Sequence, residues 1–102
     1  MATETIARPK IVPKTNLTEP SMFKVIYVND EKTTMEFVIE SLCTIFDYTD
    51  HDAELMTIKI HEQGSAAVAT LPYEMAEQKG IEVTMLARNN GFPLVVKLEP
   101  SA

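Results

Sequence analysis

Seven consecutive positions, Met22-Phe23-Lys24-Val25-Ile26-Tyr27-Val28, are dense in β-branched and aromatic residues and predict a strand. It stops at the polar turn Asn29-Asp30-Glu31-Lys32. Beyond it, Met35, Val38, Ile39, Leu42 and Phe46 recur at the spacing of one helical face. Thr33-Thr34-Met35-Glu36 reads as a capping box for that helix, with Thr33 as the N-cap. A break at Asp47-Tyr48-Thr49-Asp50 leads to a second helix, with Asp50, Asp52 and Glu54 in its first turn and Gly64 as its C-terminal cap. Ser65 to Leu71 predicts a short strand, and Pro72 suits the first turn of a third helix that runs to about Asn89. Gly80 inside that helix costs about 1 kcal/mol relative to alanine, which close packing beside Ala76, Val83 and Ala87 would explain. Leu94 to Leu98 is the last strand. The order β-α-α-β-α-β predicts an α+β two-layer sandwich, a three-stranded antiparallel sheet with three helices on one face.

Residues 1–20 differ in kind. They hold Pro9, Pro13 and Pro20 and no aromatic residue, and their apolar positions keep no period. Proline removes backbone donors and extends its predecessor, so this stretch is expected to be a disordered N-terminal arm ahead of a core domain at 21–102. A chain of 102 residues leaves room for one such domain.

Charge narrows the choice of partner. Nine basic residues against fifteen acidic ones leave a formal charge of −6, which disfavours phosphate backbones and anionic membranes and suits a partner carrying positive charge, such as a free amino group. A single cysteine forms no internal disulfide. No apolar run approaches the roughly 18 residues of a membrane span, and no signal-peptide core precedes the first strand. The expectation is a cytoplasmic monomer.

Conventional catalytic constellations are sparse. The glycines at 64, 80 and 91 form no phosphate loop, and His51, His61 and the lone cysteine match no metal-ligand spacing. No metal or cofactor is expected. A Cys43–His61 nucleophilic pair is conceivable, although Leu42-Cys43-Thr44-Ile45 reads more simply as a cysteine used as a small core residue. The acids at 47, 50, 52 and 54 read as a solvated helix start rather than a cation site. More informative is a convergence. Asn29-Asp30 leaves the first strand, Thr33 and Met35 begin the first helix, and Thr57, Ile60 and His61 lie near the end of the second. Together they could form a cup with a polar rim and apolar walls. On spacing alone, a solitary helix histidine reads as structural or solvent-exposed.

Pro20-Ser21-Met22-Phe23-Lys24-Val25-Ile26-Tyr27-Val28-Asn29-Asp30-Glu31, then Thr33 and Met35-Glu36-Phe37-Val38-Ile39, resemble the signature of the ClpS adaptors. The resemblance continues through His61-Glu62-Gln63-Gly64-Ser65-Ala66, Glu74-Met75-Ala76-Glu77-Gln78-Lys79 and Gly91-Phe92-Pro93-Leu94. It implies a non-enzymatic adaptor that binds proteins whose first residue is Phe, Tyr, Trp or Leu (N-degron substrates). Such adaptors deliver them to the N-terminal domain of a ClpA- or ClpC-type AAA+ unfoldase, in a bacterial cytosol or plastid stroma. Carried over by position, Asn29, Asp30, Glu31 and His61 would hold the substrate's α-amino group and first peptide unit. Thr33, Met35, Val38, Thr57, Ile60 and Leu94 would form the side-chain pocket, with Met35 excluding Cβ-branched residues. Glu74 and Lys79 would dock on the unfoldase, and the arm would be needed for handing substrate over. Thr57 stands where methionine is common, which should widen the pocket and favour aromatic first residues over Leu. Two rivals remain: an interaction domain of similar fold without a degron pocket, as in the ribosomal stalk protein's C-terminal domain, and a small Cys43/His61 hydrolase.

Overall fold

In the computed structural model, which describes residues 21–101, the chain runs β1 (Met22–Val28), α1 (Met35–Phe46), α2 (Asp50–Gln63), β2 (Ser65–Pro72), α3 (Tyr73–Asn89) and β3 (Val95–Pro100). The arm expected at 1–20 lies outside the described residues. The three strands pair antiparallel in the order β2-β1-β3, so β1 is central, as the α+β reading requires. Along β1 every second side chain, Phe23, Val25 and Tyr27, turns toward the core, and Val25 and Tyr27 are fully buried. Lys24, Lys97 and Glu99 occupy the opposite, exposed face.

Burial pushes the Tyr27 phenol well above its ordinary ionisation range, although its 2.8 Å hydrogen bond with the Ser41 hydroxyl acts the other way. Ser41 in turn donates to the Val38 carbonyl at 2.9 Å, so both fully buried polar groups are satisfied. In β2 the register slips opposite Val25/Ile26, leaving Val68 as an extra residue. Inward positions therefore change from Ala66 and Val68 to Ala69 and Leu71. The Val68 carbonyl at this bulge accepts the Tyr48 hydroxyl at 2.6 Å.

Several local expectations shift. The N-cap of α1 is Thr34, whose hydroxyl accepts the Phe37 N–H at 3.1 Å. Thr33 lies one residue outside the helix and instead closes the turn, donating its N–H and hydroxyl to Asp30. The buried stripe of α1 is Phe37, Val38, Ser41, Leu42 and Ile45, which keeps Val38 and Leu42 of the predicted face and turns away from the rest. Ile39 and Phe46 are half-buried against the core, and Met35 is exposed. A polar residue, Ser41, joins the stripe because Tyr27 pairs with it. Thr49 caps α2, whose first-turn acids are Asp50 and Asp52, with Glu54 one turn further in.

Gly64 caps the end of α2 as expected, at φ 89°, with its N–H on the Ile60 carbonyl. Pro72 ends β2 and sits at the N-cap of α3 without any side-chain cap, so the Tyr73 N–H is satisfied by the Ser21 carbonyl instead. Leu94 precedes β3, its carbonyl drawn away from the ladder by Arg88. Gly80 lies over β3, where an added Cβ would meet Val96 Cγ1 at 3.6 Å, an ordinary contact. Close packing does not require that glycine.

Candidate functional site

The site begins with what the chain does on leaving β1. The Asn29 N–H donates to the Gly64 carbonyl at 2.9 Å, which fixes the strand exit against the end of α2, three residues beyond His61. Asp30 then folds the connection to α1. Its Oδ1 accepts the N–H groups of Lys32 and Thr33, each at 2.7 Å, and its Oδ2 accepts the Thr33 hydroxyl at 2.7 Å. Desolvation raises the Asp30 pKa, but these donors and, more weakly, the Arg88 charge outweigh it and hold the carboxyl below its ordinary range. Three of about four acceptor positions on the carboxylate are used. One position on Oδ2 and the full negative charge remain for a ligand. Thr33, expected as pocket wall, spends its hydroxyl here.

The remaining pocket candidates, Met35 apart, are buried. Val38 from α1, Thr57 and Ile60 from α2, and Leu94 ahead of β3 each expose less than a tenth of their surface. Thr57 Oγ1 donates to the Ala53 carbonyl at 2.7 Å, so its proton is committed and only its lone pairs are left. Met35, at the first position of α1, stays 45% exposed, as a residue at a rim does. Asn29, Glu31 and His61 are exposed as well. A fourth segment completes the arrangement. Phe92 packs against Phe37 with ring centroids 5.1 Å apart, which joins the loop before Leu94 to the first turn of α1. Nothing in the hydropathy pattern marked Phe92 or Arg88. The available signal was a basic residue in the last turn of a helix followed by a tight Asn-Asn-Gly loop.

Two expected residues lie elsewhere. Glu74 is exposed in the first turn of α3, while Lys79 is half-buried and donates from Nζ to the Ile45 carbonyl at 3.0 Å, capping the end of α1. Five residues apart on one helix, they point about 140° away from each other. Cys43 donates to Asp50 Oδ1 at 3.4 Å. Desolvation and that carboxylate raise the thiol pKa, the reverse of what a nucleophile needs. Among the described residues, no cluster of three or more His, Cys, Asp or Glu side chains is placed to hold a metal ion.

Comparison with known proteins adds the following. A family model described as ATP-dependent Clp protease adaptor protein ClpS matches residues 18–97. The ATP-dependent Clp protease adapter protein ClpS of Nautilia profundicola is 42% identical over 80 residues, 78% of this chain and 82% of that protein. Its counterpart in Clostridium acetobutylicum is 39% identical over 94 residues, 92% and 93% of the two chains. Among solved structures, Agrobacterium tumefaciens ClpS2 bound to L-phenylalaninamide superposes with a TM-score of 0.79 at 34% identity, covering 81% of this chain and all of that one.

Proposed function

The chain belongs to the ClpS family of ATP-dependent Clp protease adaptors, and on that premise we propose that its cup reads a free amino terminus bearing a bulky hydrophobic side chain. The observation that carries this reading is the joining of an anionic Asp30 loop, with one acceptor position still open, to the His61 end of α2 beside buried apolar residues. L-phenylalaninamide, the ligand of the structurally similar ClpS2, has this pair of features, an unblocked α-amino group and a large apolar side chain.

An α-ammonium offers three donors and a full charge, so its reader must supply acceptors: the Asn29 amide oxygen, the open lone pair of Asp30 and a neutral imidazole nitrogen of His61. Glu31 adds negative charge at the rim. Val38, Thr57, Ile60 and Leu94 receive the side chain, and burying a Phe or Leu contributes roughly 1.5–3 kcal/mol. Neither half discriminates well alone. Together they select an unblocked, bulky first residue.

The captured protein is handed to a ClpA- or ClpC-type unfoldase, with the core domain at 21–102 binding and residues 1–20 serving delivery. Glu74 is free to engage the unfoldase directly. Lys79 joins that contact only by leaving the Ile45 carbonyl. The protein acts as a cytoplasmic monomer without catalysis of its own, and the committed Cys43 thiol speaks against the hydrolase alternative. Binding of a fluorescent Phe-initiated peptide tests the reading. N-acetylation of the peptide, or His61→Ala, should each weaken it by at least about 1.5 kcal/mol, the scale of a hydrogen bond to a charged group. An acetylated peptide that binds as well as the free one refutes amine recognition and favours the interaction domain without a degron pocket.

A further inference from the structure

The last turn of α3 carries a cation engaged on two sides of the site. Arg88 Nη1 donates to the Phe92 carbonyl at 3.0 Å and to the Leu94 carbonyl at 2.9 Å. A guanidinium nitrogen has two hydrogens in a fixed plane, so it can hold two carbonyls in a defined spacing, which a flexible ammonium does less well. These two carbonyls need such a partner. They flank Pro93, which has no N–H, and they precede the first residue of β3. The loop itself turns through Gly91 at φ 79° and is tied back by the Phe92 N–H on the Ala87 carbonyl at 2.9 Å. Its last side chain, Leu94, is 1% exposed within the apolar wall.

We propose that Arg88 is a positioning residue for recognition of the first residue, clamping the Phe92 and Leu94 carbonyls so that the Leu94 side chain stands at a fixed depth in the wall. The proposal rests on the binding function proposed above. A second consequence follows from charge. Asp30 is acted on by the Thr33 and Lys32 donors of its own loop and by the Arg88 guanidinium from α3, all of which favour the carboxylate.

The test uses the full chain and fluorescence anisotropy with peptides beginning Phe or Ala. Wild type must first prefer Phe; its failure to do so would count against the binding function itself, before any variant is made. Arg88→Met should reduce the Phe-to-Ala affinity ratio about tenfold, the equivalent of one charge-assisted hydrogen bond. Arg88→Lys keeps the charge and loses the planar fork. It should therefore lower the ratio about threefold. A wild-type ratio in a folded Arg88→Met protein overturns the proposal, as does a loss shared equally by Phe and Ala peptides. If Arg88→Met does not fold, Arg88→Lys decides: a lowered ratio supports the clamp, and an unchanged ratio overturns it.

Discussion

Met35 begins α1 with nearly half its surface in water (45%), while Val38, one turn on, is buried at 7%. In the proposed pocket a flexible thioether at that edge would narrow the entrance for a ligand branched at Cβ, and its removal should widen it. Met35→Ala should therefore admit Ile and Val first residues while Phe still binds; anisotropy with the three peptides would show it, and continued exclusion of Ile and Val would remove the gatekeeper role. Thr57 makes a different kind of prediction. Threonine is smaller than methionine, and its hydroxyl is turned onto the Ala53 carbonyl rather than left as a donor. A flat aromatic ring can fill the extra room, and a Tyr hydroxyl or Trp N–H can still donate to the threonine oxygen. Leucine leaves contacts unmade, at a cost on the order of 1 kcal/mol. Wild type should thus prefer Phe, Tyr and Trp over Leu, and Thr57→Met should move the Leu-to-Phe affinity ratio back toward Leu.

At the scale of the elements, two glycines that look alike in sequence separate sharply. Gly64 needs φ 89°, whereas Gly80 lies mid-helix with room for a methyl group against Val96 and Leu98. Gly64→Ala should cost about 1 kcal/mol from backbone strain, and Gly80→Ala should gain about 0.5–1 kcal/mol of helix propensity. Urea unfolding midpoints of the two variants should therefore move in opposite directions. The Gly64 cap was legible because a glycine after a helical run has one common use. The first strand was legible from β-branched density, α1 from its period, and α2 and α3 from the acidic, glycine and proline residues at their ends. Thr33 against Thr34 was not, since adjacent threonines are equivalent until Asp30 is seen to occupy the first. Ser41 in the buried stripe was likewise hidden, because its pairing with the Tyr27 hydroxyl on the facing sheet and with the Val38 carbonyl shows only in the fold. The same limit applied to the site. Asn29, Asp30 and His61 stood out through a family motif, but the Arg88 clamp consists of backbone carbonyls, which leave no trace in residue type.

For the molecule as a whole, the described hydrophobic core draws on side chains between Phe23 and Leu98. Deleting residues 2–18 should accordingly leave thermal stability and peptide affinity near wild type. Degradation of a Phe-initiated substrate by the cognate Clp protease should fall sharply; full degradation with the truncated adaptor would show the segment to be dispensable for delivery.

The position of β1 in the sheet has a mechanical consequence. Residues 1–20 lead directly into the central strand, and the junction is fastened by the Ser21 carbonyl on Tyr73 and the Met22 carbonyl on Ser101. Tension applied to the amino-terminal end therefore acts along β1, against ladders to β2 and β3 on both sides at once. Ladders pulled along the strand axis must break many hydrogen bonds together rather than one at a time. Pulled by its amino terminus, the chain would meet its greatest resistance at the first folded residues.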